Sequence, residues 1–211
     1  MNSPGKGLPE TFLQAAALRE HDRYPEDMDW QALVHAFFPD SVVGMAQSLS
    51  NITGAFYGLM LEQAGEMFGR EHINRLSERM FYRLGRRMAA RHMASQVQLE
   101  RDARGLGRLV VAAIFTSSPE YRLHILEFGA EQVFIRITGA DRYHRIAREL
   151  GFEDVLQWPV LREFFRGLGD ELGITERFAL AMELVSLDDD SRCDYSLAIV
   201  RRSDRTLADP L

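Results

Sequence analysis

A chain of 211 residues, 46% hydrophobic and 27% charged, is long enough to bury one sizeable core and does not oblige a second. Its 25 Lys and Arg stand against 31 Asp and Glu, a formal net charge of -6, so no chain-wide field draws nucleic acid. Lys6 is the only lysine and sits in a Gly/Pro-rich terminus, which argues against Schiff-base chemistry and pyridoxal phosphate held on a lysine. A single cysteine, Cys193, excludes an internal disulfide, an all-cysteine zinc site and an iron-sulfur cluster, and fits a reducing compartment. The opening MNSPGKGLPE lacks the apolar run of a secretory signal and no stretch has the length of a membrane span, so a cytoplasmic protein is expected.

Residues 1–27 read as an N-terminal arm: a loose, Pro/Gly-punctuated start, then a short helix over 10–21 before Pro25. A single domain is expected over 28–202, with 203–211 as a tail. Trp30, Leu33, Val34, Phe37 and Phe38 form a helical stripe ended by Pro39, and Asp40 or Ser41 caps the next helix. Residues 42–68 are densely apolar and interrupted by Gly44, Ala46, Gly54 and Gly58, the composition of a central helix packed on several sides. Residues 71–94 form the clearest helix, with Ile73, Leu76, Met80, Leu84 and Met88 as its apolar row and arginines around the rest. LGRLVVAAIF, 106–115, is a further buried helix that stops before Ser117, Ser118 and Pro119.

Beyond Pro119 the period falls to two. Tyr121, Leu123 and Ile125, then Val133, Ile135 and Ile137, alternate with other residues across a Gly129 turn, as in a hairpin. Helices over 143–150 and 158–172 close at Gly151 and Gly173. Residues 178–187 and 193–201 then flank the acidic turn Asp188, Asp189, Asp190, Ser191 as a second hairpin. This order predicts an α+β fold: N-terminal helices packed with a four-stranded antiparallel sheet made of two hairpins separated by two helices. No internal repeat, heptad run or low-complexity segment stands out.

Neither GxGxxG nor GxxxxGK[ST] is present, so the glycines between 54 and 69 read as close helix packing and a Rossmann-type dinucleotide is not expected. Arg83, Arg86, Arg87 and Arg91 with His92 form either an anion-binding face or a solvated row paired with acids. Six scattered histidines give no metal site from local spacing, which leaves metal status open. His124, in a strand beside the expected inner face of the sheet, and His144, opening a helix, could converge in space. Cys193 beside Arg192 is a candidate thiolate or a small buried hydrophobe, and Glu183 in an apolar strand is a candidate raised-pKa carboxylate unless its face is solvated.

Three strings, RLSERMFYRLGRRMAARH, VFIRITGADRYHRIARELGF and SLDDDSRCDYSLAIVRR, resemble the L-2-amino-thiazoline-4-carboxylic acid hydrolase family. The wider resemblance, over roughly residues 45–202, is to vinyl-reductase-like and TRAPP-like α+β domains. It implies a small polar substrate in a pocket between sheet and helices, and carries over His144 and the run Cys193, Asp194, Tyr195. Asp141 and Arg142 stand where a Cys-Pro pair is expected, and Trp158 near a second family cysteine.

The resulting expectation is a divergent hydrolase-like enzyme acting on a small heterocycle or amino-acid-derived metabolite. His144 and Asp141 would serve as acid and base, Cys193 as nucleophile, ligand or pocket wall, and Arg142, Arg87, His124, Glu183 and Trp158 would meet the substrate. The alternative is a non-catalytic small-molecule-binding or partner-binding domain whose 13 Phe and 9 Met line an apolar cavity. A homodimer, with the arm docking on a second protomer, is compatible with either.

Overall fold

The computed structural model describes residues 8–95 and 98–202. Lys6 and the tail at 203–211 lie outside the described residues. The chain divides into two compact units, residues 1–51 and 52–211.

In the first unit, α1 (Glu10–Ala15) runs into a 3-10 turn over Ala16–Arg19, and α2 (Trp30–Phe37) starts at Asp29, whose carboxylate accepts from the Ala32 N–H. Phe12 packs edge-on against Phe38 at 5.1 Å and Tyr24 stacks on Trp30 at 5.5 Å, while the Thr11 hydroxyl donates to the Pro39 carbonyl at 2.6 Å. The boundary between the units falls within α3 (Val42–Phe68).

The second unit is α+β. After α3 come a 3-10 turn at Arg70–His72, α4 (Ile73–Ala94), α5 (Ala103–Ser117), β1 (Tyr121–Phe128), β2 (Gln132–Ala140), α6 (Arg142–Glu149), α7 (Arg162–Leu172), β3 (Phe178–Leu187) and β4 (Arg192–Arg201). The two hairpins join through β2 and β4 into one antiparallel sheet of order β1-β2-β4-β3, the predicted architecture. Strand parity sets its two faces. Val133, Ile135 and Ile137 on β2 lie buried beside Leu197, Ile199, Cys193 and Tyr195 on β4, facing the core. His124, Arg136 and Glu183 stand exposed on the opposite face.

α5 and α7 pack on the inner face, where Gly107 lies against Phe128 and Val133, and Gly169 against Leu180. α4 then packs on α7. Its fully buried row is Ile73, Ser77, Phe81, Gly85 and Ala89, with Leu76, Met80 and Met88 of the expected row half-buried against the core and Leu84 exposed. Close approach explains the difference. A Cβ on Gly85 would overlap the Phe164 carbonyl oxygen, and one on Gly167 would overlap the Tyr82 carbonyl oxygen, so each helix offers the other a glycine. Tyr82 donates to Asp170 at 2.8 Å and Arg86 to Glu171 at 2.7 Å along the same seam.

Within the second unit α3 buries Tyr57, Gly58 and Leu61, with Gly58 against Ile146 and Leu150. It does not bury all its sides. Ile52, Phe56, Leu59, Met60 and Met67 are exposed, so the expected packing on several sides is confined to one face here. In the sequence Val42, Met45, Leu49, Ile52, Phe56 and Leu59 recur in steps of three and four, a spacing that stops at Gln63.

Candidate functional site

The residues that collect chemistry lie where α6 starts above the β2–β4 side of the sheet. Asp141 is the α6 N-cap and is fully buried. Its Oδ1 accepts from the backbone N–H groups of Tyr143 at 2.8 Å and His144 at 3.1 Å, satisfying donors that a helix start otherwise leaves open. Its Oδ2 accepts from the Tyr195 hydroxyl at 2.6 Å. Three donors satisfy a buried carboxyl that would be costly to leave unpaired.

Cys193 lies on the same inner face of β4 as Tyr195, while Arg192 points the other way and is exposed. Burial, reinforced by the Asp141 charge, pushes the Cys193 thiol up to about 12, so it stays protonated at neutral pH. His144 Nδ1 lies 2.8 Å from the Ser191 hydroxyl, and its ring meets Trp158 edge-on at 4.9 Å. Burial lowers the His144 pKa below its ordinary value, against an opposing pull from Asp141. The acidic turn places Ser191: Asp188 Oδ1 accepts from the N–H groups of Asp190 and Arg192, and the Ser191 carbonyl receives the Asp141 N–H at 2.7 Å.

Arg142 turns away from this carboxylate. It forms a buried ion pair with Glu120, donates to the Ser117 carbonyl at 2.9 Å and to the Tyr143 hydroxyl at 2.6 Å, and so ties the α6 start to the end of α5. Tyr121 completes the cluster. It shares a register row with Gly139 and Cys193, and burial, with Asp141, Tyr195 and Cys193 nearby, drives its phenol well above the ordinary value. Its hydroxyl oxygen is buried with no hydrogen-bond partner among the described residues.

The structure therefore brings together Asp141, His144, Cys193 and Trp158, with Arg142 adjacent. It does not bring in the others. His124 lies on the outer face, near Arg136 and Asp194, rather than converging with His144, because its place in β1 has the opposite parity to Tyr121 and Leu123. Glu183 is exposed on that outer face opposite Ser196, and Arg87 is exposed on α4. Tyr195 was carried over only with the Cys193 run, and Tyr121 and Ser191 were not among the expected residues, although both tyrosines are buried on the inner face. Among the described residues no group of three or more His, Cys, Asp or Glu side chains converges as a metal site. A separate polar cleft of about 60 Å³, lined by Asn74, Ser77, Glu78, Arg162 and Glu163 among others, has room for a few waters.

No protein-family model matches the chain, and no curated protein matches it either. Two solved structures are distantly similar in fold. One is the phenol-responsive sensory domain of the transcription activator PoxR with phenol, 14% identical over 70% of this chain and 74% of that one, with a TM-score of 0.47. The other is a trafficking protein particle complex subunit 3 from Naegleria fowleri covalently bound to palmitic acid, 12% identical over 73% of this chain and 95% of that one, with a TM-score of 0.43. These likenesses concern the fold and assign no family. No helix is long and apolar enough to cross a membrane among the described residues.

Proposed function

We propose that this chain is a non-catalytic small-molecule-binding module, with its ligand held against the polar layer between α6 and the sheet. The observation that carries this reading is the Tyr121 hydroxyl, a buried donor without a partner among the described residues, beside a fully paired Asp141. A ligand oxygen accepting from Tyr121 would relieve that cost. The ligand class follows from the charges. Asp141 and the Glu120–Arg142 pair add no net positive charge to receive an anion, so the ligand is a small uncharged molecule with an oxygen acceptor. His144 and the half-buried Trp158 form its rim.

The hydrolytic alternative asks Cys193 to act as a thiolate and Asp141 to exchange a proton. The high thiol pKa supports binding over that chemistry. Calorimetric titration with phenol and benzyl alcohol as neutral probes tests the reading. The expected result is one site per chain, weakened about 5- to 10-fold by Tyr121→Phe and unchanged by Arg87→Ala. Absence of binding by both probes at millimolar concentration overturns it. So does turnover of 2-aminothiazoline-4-carboxylate that is lost in His144→Ala and Cys193→Ala.

A further inference from the structure

We infer that the outward face of α3 is where two copies of this chain associate. The inference stands on a different part of the molecule from the ligand site and does not depend on that reading. Within the second unit, Ile52, Phe56, Leu59, Met60 and Met67 are 64%, 66%, 50%, 37% and 71% exposed. At 100° per residue they share one stripe about a quarter of the helix circumference wide, while Gly54, Tyr57, Gly58, Leu61 and Gly65 bury the opposite side. Folding within the second unit therefore uses one apolar face of α3 and leaves another to solvent.

Area and charge both point to a second copy as the occupant. Taking about 200 Å² for a large side chain, the five exposed fractions leave on the order of 500–600 Å² of apolar surface. That is at the upper end of what a monomer shows in one patch, a size that is often functional, and a two-fold contact would remove about 1,000 Å², the lower bound for a specific interface. In the sequence the spacing continues back through Leu49, Met45 and Val42 in steps of three and four, the seam by which like helices pair. There is no charged residue from Val42 to Leu61, so the stripe offers nothing to steer a charged partner. The flanking acids are Asp40 before this run and Glu62 and Glu66 after it. At 100° per residue Glu66 edges the stripe while Asp40 precedes the helix, so antiparallel pairing keeps the two Glu66 side chains apart where parallel pairing would set them side by side.

Sedimentation velocity of the full chain between about 1 and 100 μM tests this. The expected result is a reversible dimer whose dissociation constant rises at least 50-fold in Phe56→Glu, with the circular dichroism spectrum retained because this side chain lies outside the core. Phe56→Cys, near the centre of an antiparallel contact, should form a covalent dimer under mild oxidation in a background where wild type does not. That readout holds even if the glutamate variant fails to fold. A monomer throughout the range, or a dimer that survives Phe56→Glu with no cross-link at position 56, overturns the inference.

Discussion

Asp141 holds three hydrogen bonds at once, two from the first turn of α6 and one from Tyr195 on β4. Two nearby tyrosines consequently respond in opposite directions to loss of a hydroxyl. Tyr195→Phe removes a charge-assisted donor from a buried carboxylate and is expected to cost about 2 kcal/mol. Tyr121→Phe removes a buried hydroxyl that has no partner among the described residues and is expected to raise the stability of the ligand-free protein by about 1 kcal/mol. Urea denaturation measures both, and a Tyr121→Phe loss as large as that of Tyr195→Phe would mean this hydroxyl is partnered. His144 supplies a pH dependence. Its folded pKa lies below the ordinary 6.5, so as the pH falls through 6.5 the unfolded chain takes a proton that the native protein resists. Stability from this group is complete above that value and is lost towards lower pH. Unfolding free energies at pH 7.5 and 5.5 should fall with acid in the wild type and fall less in His144→Gln.

The α4–α7 pair sets two element-scale effects against each other. Alanine is favoured over glycine in a helix by about 1 kcal/mol. A methyl group on Gly85 would overlap the Phe164 carbonyl, and one on Gly167 the Tyr82 carbonyl, so the helices would have to separate. Overpacking against rigid backbone costs about 3 kcal/mol and wins. Gly85→Ala and Gly167→Ala should each lower stability by about 2 kcal/mol in thermal or urea unfolding, and a stabilised Gly85→Ala would show that the helices are not locked at this distance. The same seam hides its packing from the sequence. The α4 sequence shows a good row of large apolar residues, but the packed row lies one position on, through Ser77, Gly85 and Ala89. Small residues permit the close approach that a reading weighted by side-chain size passes over. In α3 the difficulty is reversed, because apolarity on two faces looks the same in sequence whether one partner or two will cover it.

Across the whole molecule, the two hairpins, their separating helices and the antiparallel sheet were legible because alternation, helical period and turn residues are local properties. Parity separates Tyr121 from His124 within β1 and Cys193 and Tyr195 from Asp194 within β4, but it did not tell which side was the inner one, so His124 was set beside the inner face and Glu183 left open. The pairing of β2 with β4 was not local. It brings Tyr195 to Asp141 across 54 positions of sequence, and the acidic turn brings Ser191 to His144 across 47. The sequence by itself determined the elements and the helix ends at Gly151 and Gly173, since each depends on neighbours a few residues away. Only the tertiary structure decided that Asp141 is a saturated cap, that Cys193 is a buried thiol, that Tyr121 keeps a hydroxyl in reserve and that α3 presents an apolar face to solvent. Those outcomes depend on which distant surfaces approach and how closely, and local periodicity carries no information about that distance.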